Sequence, residues 1–492
     1  MNQYVAIYGP PGTGKSTEVI RRFSKLLDDG VDPNRIGLVS FTKAAAKELA
    51  NRIGIDTPNI ATIHSYCYRL LGLTKQQVIG WSHMKEFEKV VGIEIRGDNP
   101  DEEEELCEGD IYLTLYGLAH ARMTSYEETY DNSDQPGSRD RFIYFAQTYD
   151  NWKNAYGYVD FSDMLGGALD IPAPRLDWLF VDEAQDLSPL QWSVIRHWAG
   201  AISNITIAGD DDQAIYVWGG ADPDGMHRFE QEYGADRVVL GQSYRVPQLA
   251  HKLAERVITL VSSRVDKEYL PRDEVGDIRH HNGPHSLRLE HGVDTLVLYR
   301  SHYMRKEVED YLIQRKIPYV TDSGRPGLLQ GTVAASLRLM KKMRENIEHL
   351  DKPALTDAEF RILRRNMTHL AIAHVDAERW DKLVERRPWD HLKLGGPWLA
   401  YLQAIEKNYG MEVKPTIHLS TIHGSKGRQA ERVVLINDVS AKTANNMDNR
   451  DGFDAEMRTF YVGVTRTKNM LDIVHGDNAL PVLMKPVHKD TE

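Results

Sequence analysis

Residues 4 to 16 read Tyr-Val-Ala-Ile-Tyr-Gly-Pro-Pro-Gly-Thr-Gly-Lys-Ser, and they indicate the architecture of the first part of the chain. The five residues before Gly9 predict a short β-strand, and the apolar periodicity from Ser16 to Leu27 predicts a helix. A glycine-rich loop between a strand and a helix presents backbone N–H groups to phosphate, and the segment fits the pattern G-x-x-x-x-G-K-[ST]. The sequence therefore predicts a phosphate-binding loop that opens an α/β domain.

The residues of this loop are candidate ligands of a nucleotide. Lys15 would reach the β and γ oxygens of a triphosphate, and Ser16 would hold Mg²⁺. We therefore predict Lys15 as a catalytic residue and Ser16 as a metal ligand. The predicted nucleotide-binding residues are Gly9, Pro10, Pro11, Gly12, Thr13, Gly14, Lys15, Ser16 and Thr17.

A pair of carboxylates follows a later apolar run, in Leu179-Phe-Val-Asp182-Glu183. Enzymes that hydrolyse nucleoside triphosphates need one carboxylate to hold the metal and another group to orient water. Asp182 is the predicted partner of Mg²⁺, acting through water, and Glu183 is the predicted base that positions the nucleophile. Together with the loop, this pair predicts hydrolysis of a triphosphate, with ATP and Mg²⁺ as the expected cofactors.

Strand and helix patterns alternate in two separate parts of the chain, which is typical of parallel α/β sheets. We therefore predict an α/β fold with two parallel-sheet domains, each with a mainly helical insertion. In the first part the predicted elements are strands at 4–8, 36–41, 178–181 and 205–208 and a helix at 44–52. In the second part they are strands at 295–299, 432–437 and 471–474 and a helix at 304–315.

Two segments interrupt the alternation and are predicted to be insertions. The first, 67–144, has aromatic-rich helical patterns and an acidic stretch at 98–110 that we interpret as a solvated loop. The second, 328–409, has an almost continuous helical pattern with three basic clusters, at Lys341/Lys342/Arg344, Arg361/Arg364/Arg365 and Arg386/Arg387. The predicted division is 1–66 with 145–242 for the first domain, 67–144 for its insertion, 243–327 with 410–492 for the second domain, and 328–409 for its insertion.

The composition narrows the class of protein. The chain has 492 residues, 41% hydrophobic and 27% charged, and no apolar run of the roughly 18 residues that a membrane span needs. Met1 to Ile7 lack the basic head of a secretion signal, so a cytoplasmic protein is expected. Cys67 and Cys107 stand far apart, which argues against a cysteine-based metal site or a disulfide framework. The net charge of −12 predicts that any contact with nucleic acid is confined to a local groove.

The segment Val181-Asp-Glu-Ala-Gln-Asp-Leu-Ser-Pro-Leu-Gln191 resembles the second motif of the UvrD/Rep (PcrA-like) branch of superfamily 1 DNA helicases. The resemblance extends over an ordered set of motifs, which is far more specific than any single one. In family order, the others are the loop at 9–16, Ser-Phe-Thr-Lys-Ala-Ala-Ala-Lys-Glu-Leu at 40–49, Ala-Thr-Ile-His-Ser at 61–65, residues 208–218, Gln-Ser-Tyr-Arg at 242–245, Ser-Thr-Ile-His-Gly-Ser-Lys-Gly at 420–427 and residues 456–466.

This resemblance implies a split motor with two RecA-like domains that hydrolyse ATP between them. Arg245 and Arg466 are similar to the arginine fingers that stabilise charge on the transferring phosphoryl group. Gln213 looks like the residue that senses the γ-phosphate, and together these three complete the predicted catalytic set. Tyr244 is expected to stack on adenine, and Gln429, where the family usually has glutamate, is expected near the nucleotide.

The family also implies a track for single-stranded DNA, in which aromatic rings stack on bases and polar groups contact phosphates. The predicted stacking residues are Phe41, Tyr216 and Trp218. The other predicted DNA-binding residues are Thr42, Thr62, His64, Thr421, His423 and Lys426.

The sequence departs from the family pattern before the phosphate loop. Relatives carry a glutamine that reads the adenine edge some 20 residues before the loop lysine, but only 14 residues precede Lys15. Base selectivity is therefore expected to be weak or to depend on Tyr244. After Trp218, two glycines stand where the family commonly has an arginine, which removes a contact with phosphate or with DNA.

Three functions remain open at this stage. The leading hypothesis is an ATP-dependent helicase that moves 3′ to 5′ on single-stranded DNA and acts at junctions between single strands and duplex. The second is a DNA-stimulated ATPase subunit that serves a nuclease or a replication or repair protein and unwinds little alone. The third, a nucleotide switch without nucleic acid, is disfavoured by the aromatic and Thr/His motifs. The same motor could serve DNA repair, DNA replication, recombination or defence, and the sequence does not choose between these pathways.

Overall fold

The computed structural model describes seven stretches of the chain. They are residues 3–97, 107–133, 137–322, 331–347, 355–384, 387–410 and 413–487. Most of the acidic loop predicted at 98–110, and Arg386 of one basic cluster, lie outside the described residues.

The chain divides into two compact units. One consists of Met1–Arg245, Leu260–Arg272 and Asp454–Arg458, and the other of Val246–Thr259, Asp273–Phe453 and Thr459–Glu492. The finer division into four parts stays a prediction. Two of its boundaries, 66/67 and 144/145, fall inside helices that span Ile63–Leu70 and Arg139–Tyr156.

The first unit is built on a six-stranded parallel sheet. Its strands are β1 (Gln3–Tyr8), β2 (Ile36–Val39), β3 (Ile60–Ala61), β4 (Trp178–Val181), β5 (Asn204–Gly209) and β6 (Asp236–Val239). Their spatial order is β3-β2-β4-β5-β1-β6. All strand pairs are parallel, with Tyr8 opposite Gly209 and Val181 opposite Ile207. The carboxyl ends of β1, β4 and β5 therefore meet at one edge, where open α/β sheets bind their ligands.

Ten helices accompany this sheet in the described residues. They are α1 (Lys15–Asp28), α2 (Lys43–Ile53), α3 (Ile63–Leu70), α4 (Trp81–Val91), α5 (Glu108–Arg122), α6 (Tyr126–Asp131), α7 (Arg139–Tyr156), α8 (Phe161–Gly167), α9 (Pro189–Ala199) and α10 (Gly225–Tyr233). Short 3₁₀ turns lie at Pro33–Arg35, Ala184–Asp186, Asp211–Gln213 and Val217–Gly219.

Helices α4 to α7 surround an aromatic core of their own. Phe87, Tyr112, Phe142 and Phe145 are fully buried there, which explains the aromatic-rich pattern in this part of the sequence. Burial of each such ring contributes roughly 1.5–3 kcal/mol to folding.

The second unit has a parallel sheet of the same size. Its strands are β7 (Asp277–His281), β8 (Thr295–Tyr299), β9 (Tyr319–Thr321), β10 (Ile417–Thr421), β11 (Ala430–Asn437) and β12 (Thr467–His475), in the order β7-β12-β11-β8-β10-β9. Its helices are α11 (Gln248–Ile258), α12 (Arg305–Arg315), α13 (Gly331–Ile347), α14 (Asp357–Asn366), α15 (His369–Asp376), α16 (Asp381–Val384), α17 (Gly396–Tyr409), α18 (Ala441–Asn446), α19 (Arg450–Val464) and α20 (Pro481–Met484). Further 3₁₀ turns lie at Pro284–Ser286, His302–Met304 and Pro388–His391. The predicted fold, two parallel-sheet α/β domains, is confirmed.

The helical pattern predicted across 328–409 takes the form of five separate helices, α13 to α17, in the described part of that segment. Thr356 caps α14 by accepting a hydrogen bond from the backbone N–H of Glu359 at 3.3 Å, and Thr368 caps α15 in the same way. Capping threonines start new helices, and Pro388 and Pro397 sit in the first turns of the last two helical elements. The first-unit strand predicted at 36–41 also ends earlier, at Val39.

Within the described residues, no helix combines the length and the apolarity that crossing a membrane requires.

Candidate functional site

Three loops meet at the carboxyl edge of the first sheet. Residues 9–14 follow β1, Asp182 and Glu183 follow β4, and residues 210–213 follow β5. The strands are in parallel register, so residues far apart in sequence come into contact here.

The phosphate loop has the backbone shape that its glycines permit. Gly12 and Gly14 have φ of 79° and 86°, in the left-handed region that side chains disfavour. A Cβ at Gly9 would lie 2.4 Å from Cγ of Lys15, so the loop also closes tightly on itself. Helix α1 begins at Lys15 directly after Gly14, which points its free N–H groups and the positive end of its dipole toward the loop.

Lys15 is held inside this loop, where its ammonium group donates a hydrogen bond to the carbonyl oxygen of Gly9. Burial lowers the pKa of Lys15, while the carboxylates of Asp210, Glu183 and Asp182 act in the opposite direction. A cation in such a cavity gains electrostatic energy when an anion arrives, because little solvent screens the pair.

Ser16 and Asp182 form the predicted metal-binding pair. The Ser16 hydroxyl donates to Oδ2 of Asp182 at 2.9 Å across 166 positions of sequence. Asp182 is 3% exposed, and its Oδ1 is buried without a hydrogen-bond partner. A hydroxyl beside a carboxylate with one unsatisfied buried oxygen suits a hard divalent cation such as Mg²⁺, which is held by few protein oxygens and completes its shell with water and phosphate.

Asp182 is expected to give the protein an unusual pH dependence of stability. Burial, and secondarily the charge of Glu183, raises the pKa of Asp182 to about 6. The native state therefore holds a proton that the unfolded chain has lost between about pH 4 and 6, so this group's contribution to stability falls as pH rises through that window.

We expect Asp182→Asn, in buffer without metal or nucleotide, to unfold with a free energy about 1–3 kcal/mol higher than the parent above pH 6. The difference should shrink as pH falls toward 4. Denaturant unfolding between pH 4 and 8 measures it. A variant that is less stable than the parent at pH 8 would contradict the assignment.

Glu183 has a strained backbone. Its φ and ψ are 55° and 41°, a left-handed conformation that is uncommon for residues other than glycine, asparagine and aspartate. Such strain costs on the order of 1–3 kcal/mol and clusters at functional sites. The fully buried Gln185 donates to the Glu183 carboxylate at 2.5 Å and accepts from the N–H of Asp210 at 3.0 Å. One amide side chain thus links the loops after β4 and β5.

Gln213 lies in the loop after β5, and its side chain donates to Oδ2 of Asp210 at 2.7 Å. Asp210, Asp211 and Asp212 are all buried. Three adjacent buried carboxylates would repel each other without counter-charges.

Two basic residues that the sequence analysis missed supply those charges. Nζ of Lys267 lies 2.6 to 3.2 Å from all three carboxylates, and Arg264 makes a two-pronged ion pair with Asp212 at 2.7 and 3.0 Å. Burial alone would lower the pKa of Lys267, but the three carboxylates raise it overall. Only an R-x-x-K spacing marks these residues in the sequence.

The segment 243–245 supports the phosphate loop from outside. The Ser243 hydroxyl donates to the carbonyl of Pro11 at 2.9 Å, and the Tyr244 N–H donates to the carbonyl of Gly12 at 2.9 Å. Tyr269, another residue that the sequence analysis missed, donates to Pro11 at 3.2 Å. A Cβ at Gly12 would lie 2.6 Å from Cβ of Arg245, so Arg245 adjoins the loop, and its charge contributes to lowering the pKa of Lys15. The ring of Tyr244 is 75% exposed.

The three predicted stacking residues form one aromatic group. Phe41 stacks on Tyr216 with ring centroids 5.3 Å apart and 21° between planes, and Tyr216 meets Trp218 edge to face at 6.4 Å. Trp218 is 65% exposed. Because Tyr216 follows Gln213 by three residues, the aromatic group begins at the loop that carries the candidate sensor.

The predicted threonines have structural roles in this unit. Thr42 caps α2 by accepting from the N–H of Ala45 at 3.1 Å, and Thr62 caps α3 by accepting from the N–H of Ser65 at 3.2 Å. Each of these threonines therefore lies at the N-terminus of a helix, where the positive end of the helix dipole favours phosphate. Burial lowers the pKa of His64, which favours its neutral form. Its ring meets Phe161 edge to face at 5.6 Å, and Phe161 is 61% exposed although the sequence analysis did not select it.

The remaining candidates lie in the second unit. Thr421 ends β10, and His423 and Lys426 lie in the loop that follows. The Thr421 hydroxyl accepts from the N–H of Gly424 at 2.9 Å. Gln429 is exposed at the end of this loop. Arg466 is 2% exposed, and its Nε donates to the carbonyl of Val462 at 3.0 Å. Their assignment to nucleotide or DNA stays a prediction.

Comparison with known proteins gives two matches to family descriptions. Residues 1–234 match the UvrD/REP helicase N-terminal domain, and residues 399–476 match the UvrD-like helicase C-terminal domain.

Similar curated proteins include a putative ATP-dependent DNA helicase, YjcD, of Bacillus subtilis, which is 24% identical over 64% of this chain and 46% of its own length. The ATP-dependent DNA helicase PcrA of Leuconostoc citreum is 26% identical over 63% of this chain and 46% of its own, and the DNA helicase II of Haemophilus influenzae is 25% identical over 63% and 48%. The chain thus spans about half the length of these relatives. A solved structure of the PRRSV helicase aligns with 96% of this chain and 52% of its own, at 9% identity and a TM-score of 0.35, which is too low to carry an argument.

Proposed function

The chain belongs to the UvrD/Rep helicase family, and on that premise we propose that it is an ATP-driven motor that moves 3′ to 5′ along single-stranded DNA and unwinds duplex ahead of it. The proposed substrate is single-stranded DNA and its junctions with duplex, and the proposed location is the cytoplasm.

One observation carries the proposal: the candidate sensor Gln213 and two rings of the aromatic group, Tyr216 and Trp218, lie in a single loop. Gln213 donates to Asp210 in the loop after β5, at the same edge of the sheet as the phosphate loop, and Tyr216 and Trp218 follow within five residues. A change in the hydrogen bond between Gln213 and Asp210 would shift this loop, and with it the rings of Tyr216 and Trp218, which are proposed to stack on bases. Coupling of this kind is what a motor needs and a simple nucleotide switch does not.

The nucleotide would be bound by the phosphate loop, with Lys15 leaving the carbonyl of Gly9 to contact the β and γ oxygens. Ser16 and Asp182 would hold Mg²⁺, which when bound neutralises charge on the phosphate oxygens. Glu183, whose carboxylate is already oriented by Gln185, would accept the hydrogen bond of the attacking water and take its proton. Arg245, beside Gly12, and Arg466 would stabilise the charge that develops on the phosphoryl group.

The single strand would stack its bases on Trp218 and Phe41, with Tyr216 between them. Base stacking of this kind contributes about 1–3 kcal/mol per base and tolerates every sequence. Phe161 contacts His64, one of the predicted DNA-binding residues, so we include it in the proposed track. In the second unit, Thr421, His423 and Lys426 would contact phosphates.

Base selectivity is proposed to be weak. Tyr244 offers an exposed ring face, and a ring face stacks on any base without reading its edge.

The test is an unwinding assay on two duplexes, one with a 3′ tail and one with a 5′ tail, each with ATP and with GTP. We expect unwinding of the 3′-tailed duplex and little of the other, with both nucleotides active. Preference for the 5′ tail would refute the polarity, and strong discrimination against GTP would refute the weak selectivity.

A second candidate is a DNA-stimulated ATPase subunit that unwinds little alone and serves a nuclease or a replication or repair protein. It is favoured by the small helical segment around Met340 and Leu363, whose hydrophobic cluster has eight buried members in the described residues. DNA-stimulated hydrolysis without unwinding of either substrate would select this candidate.

A further inference from the structure

An exposed pair of tyrosines lies just past the end of α7. Tyr156 is the last residue of that helix, and Gly157, with φ of 68°, turns the chain so that Tyr158 comes back beside it. The two rings are nearly parallel, with 5.7 Å between centroids and 12° between planes. Tyr156 is 65% exposed, among the most exposed large side chains of the described residues.

Tyr158, the less exposed ring of the pair, is held by several contacts. Tyr158 meets His83 edge to face at 4.6 Å and Trp152 at 5.1 Å, and Trp152 is itself 5% exposed. The N–H of Tyr158 donates to the carbonyl of Lys153 at 2.9 Å. Tyr156 therefore rests on an immobilised ring, and its exposed surface forms a flat, preorganised platform.

The position of the pair connects it to the proposed DNA track. Four residues lie between Tyr156 and Phe161, so their Cα atoms, five residue steps apart, are separated by no more than about 18 Å. The connecting segment is fixed, because the N–H of Val159 donates to Gln77 at 2.8 Å and the carbonyl of Val159 accepts from Ile79 at 3.0 Å. Phe161 in turn contacts His64. Single-stranded DNA bound over Phe161 would reach Tyr156 and Tyr158 within a few nucleotides.

The charges around the segment between Tyr156 and Phe161 are compatible with the binding of a polyanion such as single-stranded DNA. The nearby carboxylates, Asp160 and Asp163, share the buried ammonium of Lys153 at 2.8 and 2.7 Å, so part of their negative charge is offset. Lys75 is exposed two residues before Gln77 and adds a cation to the same neighbourhood.

We propose that Tyr156, stacked on Tyr158, is a further base-stacking site that lengthens the binding track for single-stranded nucleic acid beyond Phe161. The inference rests on the proposed function. It predicts a longer binding footprint than the motif residues alone would give, and it assigns the extra nucleotides to this pair.

The experiment measures the affinity of the full chain for labelled oligothymidylates of about 6 to 20 nucleotides, a range that brackets common single-strand site sizes. Tyr156→Ala is compared with Tyr156→Phe, which keeps the ring, and with Tyr144→Ala, which removes another exposed tyrosine of α7 at 55% exposure. Alanine suits a helix terminus, so the fold should be kept.

Tyr156→Ala should bind the shortest oligonucleotides like the parent and the longest about tenfold more weakly, a loss of about 1.4 kcal/mol. The other two variants should match the parent at every length. The ratio of the parent's affinity to that of Tyr156→Ala for the longest oligonucleotides should stay the same between about 50 and 200 mM salt, because the lost contact carries no charge.

Unchanged affinity of Tyr156→Ala at every length would overturn the inference while leaving the proposed function intact, and would leave the pair as a surface for a protein. An equal loss at all lengths would also overturn it, because the substitution would then act through Phe161. A parent chain that binds no single strand at all would overturn both proposals.

Discussion

A Glu183→Gln variant is expected to bind ATP and single-stranded DNA like the parent while its rate of hydrolysis falls by about 10²- to 10⁴-fold. Glutamine keeps the size of the side chain and can still accept the hydrogen bond from Gln185, but its amide cannot take a proton from water. Steady-state phosphate release, together with nucleotide and DNA titrations, measures both sides of the prediction.

The matched control is Glu48→Gln, which makes the same chemical change at a glutamate of α2 whose side chain is 72% exposed. It should hydrolyse ATP at the parental rate. If Glu183→Gln retained most of its turnover, the proton acceptor would have to be another group. If it lost nucleotide binding instead, the role of Glu183 would be to maintain the conformation of the loop after β4 and not to activate the attacking water.

A Lys15→Met variant is expected to lose about 10²- to 10³-fold in hydrolysis and to bind ATP much more weakly. The Lys15 ammonium lies inside the loop formed by residues 9–14, where it donates to the carbonyl of Gly9, and methionine fills a similar volume without charge or donor. The variant should stay folded, because removing a buried cation abolishes its desolvation cost. Thermal unfolding and titration with a fluorescent ATP analogue measure the two effects separately.

Lys25→Met is the control for this variant, since Lys25 is exposed in the last turn of the same helix α1. It should leave binding and hydrolysis unchanged. Equal losses in the two variants would mean that the helix, and not the contact with phosphate, is responsible. Parental ATP affinity in Lys15→Met would remove Lys15 from the proposed site.

Local patterns in the sequence predicted the parts of the fold that depend on local physics. The strand, loop and helix around Gly9 follow from a β-prone run, glycines and a periodic helix, all within 25 residues. The contact between Ser16 and Asp182 was predictable as well, because parallel strands bring their carboxyl ends together. Helix α2 was placed to within one residue at each end.

The residues that hold the loops of the site in place could not be predicted from local patterns. Lys267 lies more than 50 positions from the carboxylates that it neutralises, and Tyr269 lies 258 positions from the carbonyl that it holds. Nothing in their immediate sequence marks a buried ion pair or a loop support, since both depend on tertiary packing. The exposure of Phe161 and Tyr156 is likewise a property of packing, because an aromatic residue in sequence is more often buried.

These supports bear on function. The phosphate loop is held by Ser243, Tyr244 and Tyr269, and the loop of Gln213 is held through Asp210 by Lys267. Both of these candidate phosphate-binding loops therefore contact the segments 243–245 and 264–269. Preorganised groups of this kind stabilise a transition state without reorganising at the moment of reaction.

The central claim, that hydrolysis of a triphosphate is coupled to single-stranded DNA, is tested most directly by one measurement. The rate of ATP hydrolysis by the full chain is compared without nucleic acid and with saturating oligothymidylate in the presence of Mg²⁺. The coupled loop of Gln213, Tyr216 and Trp218 predicts a rise of at least about tenfold, equivalent to about 1.4 kcal/mol of activation free energy. A rate that stays the same with any DNA or RNA would contradict the claim.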